Sequence, residues 1–248
     1  MTTYYKTQGF VFKKGDSLEA DRVFSVFTKD FGRMEILGRG IRKIDSKLRG
    51  GIEVFSLSYI EFVQGRIRKT LTDAVFIEKF KNIYRNTNML ETAHKISQLA
   101  DNFIKGEEPD EKIWNLLVDA FEKLNQNQLQ VTHCQLVYNY FFWNFVSILG
   151  YSPELSNCAN CQKKLNPYEL YFSNKEGGVI CKSCYALNRD GLKIKSDIVK
   201  ILRLILKKDW DILSKLKLEN SMQESLKELS DTYYSYLSTN VTSNFKDV

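Results

Sequence analysis

Arg22-Val23-Phe24-Ser25-Val26-Phe27-Thr28, then Lys29-Asp30-Phe31-Gly32, then Arg33-Met34-Glu35-Ile36-Leu37 and on to Ile41 reads as two strands joined by a hairpin turn. β-branched and aromatic residues fill both runs, and Gly32 supplies the positive φ that other side chains resist. Runs of the same chemistry lie on either side: Tyr4 to Lys13 before Gly15-Asp16, Ile52 to Val63 before Gln64-Gly65, and Arg66 to Phe76. Five strands in about 75 residues, with no long helical period among them, predict a small all-β barrel at the N-terminal end.

Beyond residue 80 the period lengthens. Met89, Leu90, Ala93, Ile96, Ser97, Ala100, Phe103 and Ile104 recur at helical spacing. Pro109 marks the entry of a second helix, whose stripe is Ile113, Trp114, Leu117, Ala120, Phe121 and Leu124. A third is expected from Leu129 to Leu149; its body, Val137 to Val146, is apolar on nearly every side, as in a helix at the centre of a domain. Gly150 and Pro153 close it in the order that helix C-termini prefer.

The 248 residues are 43% hydrophobic and 27% charged, a balance that excludes a disordered tail or a fibrous repeat. Lys and Arg outnumber Asp and Glu by 36 to 30, which favours an anionic partner. The excess is concentrated: residues 1–80 hold 15 basic and 10 acidic side chains. Within them, Arg33, Arg39, Arg42, Lys43, Lys47 and Arg49 face only Glu35 and Asp45 over the stretch 33–49. No apolar run approaches the roughly 20 residues that span a bilayer, and the first residues lack the apolar core of a signal peptide. A cytoplasmic protein without a membrane partner is expected.

Cys158-Ala159-Asn160-Cys161 and Cys181-Lys182-Ser183-Cys184 are two Cys-x-x-Cys pairs separated by 19 residues, a spacing expected of a zinc site. Between them, Leu170 to Ser173 and Gly177 to Ile180 look like the arms of a hairpin. Four thiolates fill a tetrahedral shell and leave no position for water or substrate, so one structural zinc ion is predicted. Two redox Cys-x-x-Cys motifs are the competing reading.

The other reactive side chains read as structure. Cys134 lies among apolar neighbours in the third helix, and His94 and His133 each stand singly on a helix. Glu19 and Asp21, flanked by Lys13, Lys14 and Arg22, read as surface ion pairs. The acidic group from Glu107 to Glu111 reads as a solvated loop that also keeps nucleic acid away from its face. Neither a Gly-x-x-x-x-Gly-Lys-Ser/Thr loop nor a Gly-x-Gly-x-x-Gly turn is present. No catalytic residue is assigned.

The basic run follows a hairpin of a small barrel. Glycines at 38, 40, 50 and 51 let backbone approach a ligand, and Phe24, Phe27, Phe31 and Phe55 are interleaved with it. Barrels of this kind bind single strands with a positive groove and stacking platforms. Arg33, Arg39, Arg42, Lys43, Lys47 and Arg49 are accordingly the candidate phosphate contacts. The phenylalanines are candidate stacking platforms, although a barrel this small needs some of them for its core.

Gly9-Phe10-Val11-Phe12, Leu18 to Thr28, Phe31-Gly32-Arg33 and Gly38-Arg39-Gly40-Ile41-Arg42-Lys43, with Ser46, Phe55 and the four cysteines after a helical segment, resemble the RecO family of bacterial DNA repair proteins. The resemblance covers essentially the whole chain. It implies an α+β multidomain protein: an N-terminal OB-fold β-barrel followed by an all-α domain with an inserted four-cysteine zinc finger. The expected parts are 1–80 as the DNA-binding barrel, 81–152 as the helical domain and 153–190 as the zinc element, with helices of 191–248 packing on the helical domain. The family's basic element falls on Arg39, Arg42 and Lys43, with Arg33 at the preceding turn. At Ile44 and Asp45 the chain departs from the usual proline and basic or polar residue.

The function implied is that of a non-enzymatic mediator in the RecF recombination pathway. It would bind single- and double-stranded DNA, anneal complementary strands and, with RecR, load RecA onto DNA coated by single-stranded-DNA-binding protein. The competing classes are a zinc-ribbon interaction scaffold, a zinc-ribbon transcription regulator, for which no helix-turn-helix is recognisable, and a nuclease, which needs clustered carboxylates or an open metal site.

Overall fold

The computed structural model describes residues 3–17, 19–126 and 131–240. The chain divides into two compact units, Met1–Leu129 and Gln130–Val248. The division falls inside the 81–152 segment, and each unit has its own core.

In the first unit, β1 (Tyr4–Asp16), β2 (Arg22–Thr28), β3 (Gly32–Gly38), β4 (Leu57–Gln64) and β5 (Lys69–Glu78) form a closed barrel in the order β1-β2-β3-β5-β4. A short parallel pairing of β3 with β5, Ile36 to Lys69 and Leu37 to Thr70, closes it. The long β1 serves two neighbours: its first half pairs with β4 and its second half with β2, across a bulge between Val11 and Lys13. Gly9 sits where both pairings overlap, opposite Thr28 and Ser58. A Cβ there would collide with Ile60 and Val26, so the strand crossing requires glycine. Val11, Phe24, Val26, Met34, Ile36, Ile60, Phe62 and Leu71 fill the interior.

Strand boundaries differ from those expected on each side of the barrel's turns. β1 continues to Asp16 through the polar Lys13-Lys14-Gly15, which hydrophobic alternation could not reveal. β3 stops at Gly38, and Ile41 leaves the strand but remains buried in the barrel core. β4 begins at Leu57 because Phe55 takes a left-handed φ of 54° and Ser56 Oγ donates to the Glu53 carbonyl at 2.6 Å, making a turn of residues expected to be strand. Arg66-Ile67-Arg68 likewise belong to the β4–β5 turn rather than to a strand.

Two helices complete this unit. α1 (Thr87–Phe103) starts where the Asn86 side chain accepts from Asn88 and Met89 backbone N–H groups, and α2 (Glu111–Leu124) where Asp110 does the same for Lys112 and Ile113. The α2 stripe read from the sequence is buried throughout. Phe121 packs its ring 4.4 Å from that of Phe10 and 5.9 Å from that of Phe55, and Trp114 lies 6.4 Å from Phe27. The barrel therefore has a second apolar layer on its outside, made with α2.

The second unit is built around α3 (Val131–Ile148), in which Phe141, Phe142, Trp143, Phe145 and Val146 are all completely buried. Residues 129 and 130 of the expected helix lie outside the described residues. Polar groups on this buried helix find partners: Asn144 Nδ2 donates to the Tyr140 and Ile205 carbonyls at 2.9 Å each, and Trp143 Nε1 donates to Ser230 Oγ at 3.0 Å. After α3 come the hairpin β6 (Leu170–Ser173) and β7 (Gly178–Cys181), the short α4 (Lys182–Asn188) and β8 (Leu192–Ile194), giving a three-stranded sheet in the order β7-β6-β8. The helices α5 (Ser196–Leu206) and α7 (Asn220–Asn240) pack on α3, with the four-residue α6 (Trp210–Leu213) between them. Among the described residues no helix is long and apolar enough to cross a membrane.

Candidate metal centre and nucleic-acid interface

The β6–β7 hairpin and the start of α4 bring the two cysteine pairs together. Cys158 and Cys161 lie on a tight knuckle: Gln162 N–H donates to the Cys158 carbonyl at 2.9 Å, and Gln162 takes a φ of 61° to close it. Ala159 N–H donates to the Val179 carbonyl at 2.8 Å, which ties this knuckle to β7. Cys181 ends β7 and caps α4, whose first turn presents Cys184. All four Sγ atoms lie within 4.8 Å of one another, and those of Cys161 and Cys181 are 3.9 Å apart.

These separations fit a tetrahedral shell: with metal–sulfur bonds of about 2.3 Å, neighbouring sulfurs stand roughly 3.8 Å apart. The local electrostatics suit a bound cation. Burial raises the Cys158 thiol, but backbone N–H groups of Cys161, Cys181 and Asn160 outweigh it and bring the value down to about 6. Burial first, and then the neighbouring sulfurs, push Cys184 up to about 12. Amide dipoles favour the Cys158 thiolate, and a bound cation would favour ionisation of all four thiols. The cluster can hold one metal ion with four protein ligands and no open position.

On the barrel, the segment between β3 and β4 displays the expected cations. It is anchored at both ends by the buried side chains of Ile41 and Ile52, and Leu48 packs on the same core. Asp21 Oδ1 accepts from Gly40 N–H at 2.7 Å, and Ala20 carbonyl accepts from Arg42 N–H at 3.0 Å. Asp21 is therefore a latch for this loop rather than part of a surface ion pair with its lysine neighbours. Lys43 N–H donates to the Gly40 carbonyl and Gly51 N–H to that of Leu48, both at 3.1 Å, so the backbone is fixed between its anchors. Arg39, Arg42, Lys43, Lys47 and Arg49 are all exposed along it. Arg42 approaches Asp16 at 3.4 Å; among the described residues the other four form no ion pair.

Arg33 differs from the rest of the expected set. Its guanidinium bonds Asp101 of α1 at 2.7 Å, and both side chains are largely buried. Burial opposes the charge on Asp101, but Arg33 and the Ser25 hydroxyl outweigh it and hold the carboxyl below its ordinary value. The loop cations stand together; Arg33 stands apart, already neutralised.

The candidate stacking rings are also committed elsewhere. Phe24 and Phe27 are buried in the two apolar layers, and Phe55 packs on Tyr84, His94 and Phe121. Phe31 is half-buried, edge-on to Tyr5 and Phe62 at 5.7 and 5.6 Å. A β-barrel wrapped by helices needs large side chains on both faces of its strands, and this is what uses them. Tyr4, Tyr59 and Tyr84 are the solvent-facing tyrosine rings among the described residues of this unit.

The remaining side chains behave as core or surface residues. Burial raises the Cys134 thiol to about 11, as suits an inert core cysteine. The His133 ring bonds the Ser214 carbonyl at 2.9 Å, and Glu107 pairs with Lys69 of β5.

Comparison with known proteins places the chain in a family. Residues 1–80 match the family model described as recombination protein O N terminal, and residues 88–240 that described as recombination protein O C terminal. The DNA repair protein RecO of Dehalococcoides mccartyi is 32% identical over 222 residues, which cover 90% of this chain and 86% of the relative. That of Desulforamulus reducens is 26% identical, covering 94% and 89%, and that of Alkaliphilus metalliredigens 27%, covering 92% and 91%.

Proposed function

The chain belongs to the RecO family of DNA repair proteins, and from that premise we propose that it is a non-catalytic, DNA-binding recombination mediator of the RecF pathway. It binds single- and double-stranded DNA, anneals complementary strands and, with RecR, promotes loading of RecA onto DNA coated by single-stranded-DNA-binding protein. The reading puts its work in the bacterial cytoplasm, at the nucleoid.

The observation that carries this reading is the anchored cationic loop between β3 and β4. Arg42, Lys43, Lys47 and Arg49 project from a backbone held between the buried Ile41 and Ile52, and Arg39 from beside the Asp21 latch on Gly40, so little backbone freedom is lost when they meet a phosphate chain. Such cations replace the condensed counterions of DNA, and their release to bulk drives binding. When two complementary strands lie on the same cations, the repulsion that keeps them apart falls and base pairing can nucleate. No covalent bond is made or broken in this scheme.

Cys158, Cys161, Cys181 and Cys184 would hold one zinc ion, supplying a structural cross-link between the knuckle, β7 and α4. The helices and the zinc element are left for partner proteins.

Binding of labelled single-stranded and duplex oligonucleotides across a salt series tests the reading. The logarithm of the affinity for both should fall linearly with the logarithm of salt concentration. A folded, metal-loaded protein that binds neither at low salt would be an interaction scaffold instead.

A further inference from the structure

The four cysteines of the cluster are not equally open to solvent. Cys158 and Cys184 are buried, whereas Cys161 and Cys181 are half-buried. Cys158 is tied further by Cys181 N–H, which donates to its Sγ at 3.3 Å. Apolar side chains cover the buried pair: Tyr171 and Tyr185 stack 3.8 Å apart and 4° from parallel, and with Leu165 they pack on Cys158, Ile180 and Cys184. The two open cysteines come from different Cys-x-x-Cys pairs, and their Sγ atoms are 3.9 Å apart. A small, water-soluble oxidant therefore reaches one sulfur of each pair, and these two are neighbours.

The parts of the element depend on the sulfurs to different degrees. The knuckle of Cys158 and Cys161 is joined to β7 by backbone as well, through Ala159 N–H to the Val179 carbonyl and Val179 N–H to the Glu154 carbonyl, both at 2.8 Å. The helix α4 has only seven residues, too few to persist by its own hydrogen bonds. Cys184 is the one cluster ligand within it.

We infer that Cys161 and Cys181 are a site of oxidation by hydrogen peroxide, whose disulfide releases the metal and loosens α4. One thiolate attacks a peroxide oxygen, giving a sulfenic acid and, from the other oxygen, hydroxide. The second thiolate attacks the sulfenic sulfur and expels a second hydroxide. The two sulfurs give up two electrons, the peroxide takes both, and two protons from solvent complete two water molecules. Cys158 and Cys184 are left as thiols, too few to make a four-coordinate shell. The new bond keeps the knuckle on β7, while Cys184 no longer tethers α4. The inference rests on the zinc reading above and is independent of DNA binding.

A peroxide titration of the reduced, zinc-loaded full chain tests it, with released zinc followed by a chromogenic chelator and free thiols alkylated before peptide mapping. One zinc should leave for each disulfide formed. That disulfide should join Cys161 to Cys181, with Cys158 and Cys184 alkylated. Hydrogen exchange at the α4 amides should accelerate by about tenfold or more, while β6 and β7 keep their protection. Reduction in the presence of zinc should reverse both changes. A disulfide within either pair, Cys158 to Cys161 or Cys181 to Cys184, or zinc retained with all four thiols free, would overturn the inference while the zinc reading stands. A chain that carries no zinc before peroxide is added would overturn the zinc reading and this inference with it.

Discussion

Arg33 donates through Nε and Nη2 to one oxygen of Asp101, at 2.8 and 2.7 Å, although 68 residues separate them along the chain. Ser25 Oγ donates to the same oxygen at 2.9 Å, and Lys13 approaches the other at 3.4 Å. The cluster ties α1 to the outside of β2 and β3. Because the folded Asp101 carboxyl titrates below its unfolded value, which is about 3.9, its stabilisation is present above that value and lost as pH falls through the folded one. Asp101→Asn should cost roughly 1–2 kcal/mol at pH 7. Urea midpoints of the two proteins should converge as pH is lowered toward 3; a gap independent of pH would contradict the assignment.

Phe121 joins the barrel to α2, fully buried with its ring against Phe10, Phe55 and Phe80. Phe121→Ala should destabilise by about 3–5 kcal/mol, as expected for a large buried ring whose site cannot collapse. Chemical denaturation followed by tryptophan fluorescence measures it. A loss below about 1 kcal/mol would mean that the second layer is not a core.

Metal analysis of freshly purified, reduced protein should give one zinc per chain, and Cys181→Ser should remove it. The loss should lower stability by at least about 3 kcal/mol, or roughly 6–12 °C in Tm for a chain of this length. A metal-free protein of unchanged Tm would place the four thiols outside any structural site.

Arg39 and Arg33 should respond in opposite ways. Arg39→Ala should reduce the slope of log affinity against log salt by about 1 with no change in Tm, since its side chain is free in solvent. Arg33→Ala should lower Tm, because it strands the Asp101 carboxylate, and leave the slope as it was. A reversed pattern would move the phosphate contacts from the loop to the barrel wall.

The metal cluster was legible because its ligands are local: two Cys-x-x-Cys knuckles and a hairpin between them carry their geometry in their spacing. The barrel was legible from its alternating runs, but its ends were not, since Lys13 to Asp16 pair with β2 without apolar alternation and Phe55 breaks a strand through an uncommon φ. Arg33 looked like its basic neighbours because the carboxylate that binds it comes from a helix distant in sequence. The phenylalanines looked available because no local pattern announces that α2 will cover the outside of the barrel.

The loop from Arg39 to Arg49 is the element expected to bring complementary strands together. Annealing of two complementary, fluorescently labelled oligonucleotides, without ATP and at low and moderate salt, tests it when the unaltered protein is set beside an Arg39→Ala, Arg42→Ala variant. Annealing that depends on the protein, declines with salt and is largely lost in a variant of unchanged Tm is the predicted result. Annealing that proceeds equally well without the two arginines, or no annealing by the folded, zinc-loaded chain, would contradict it.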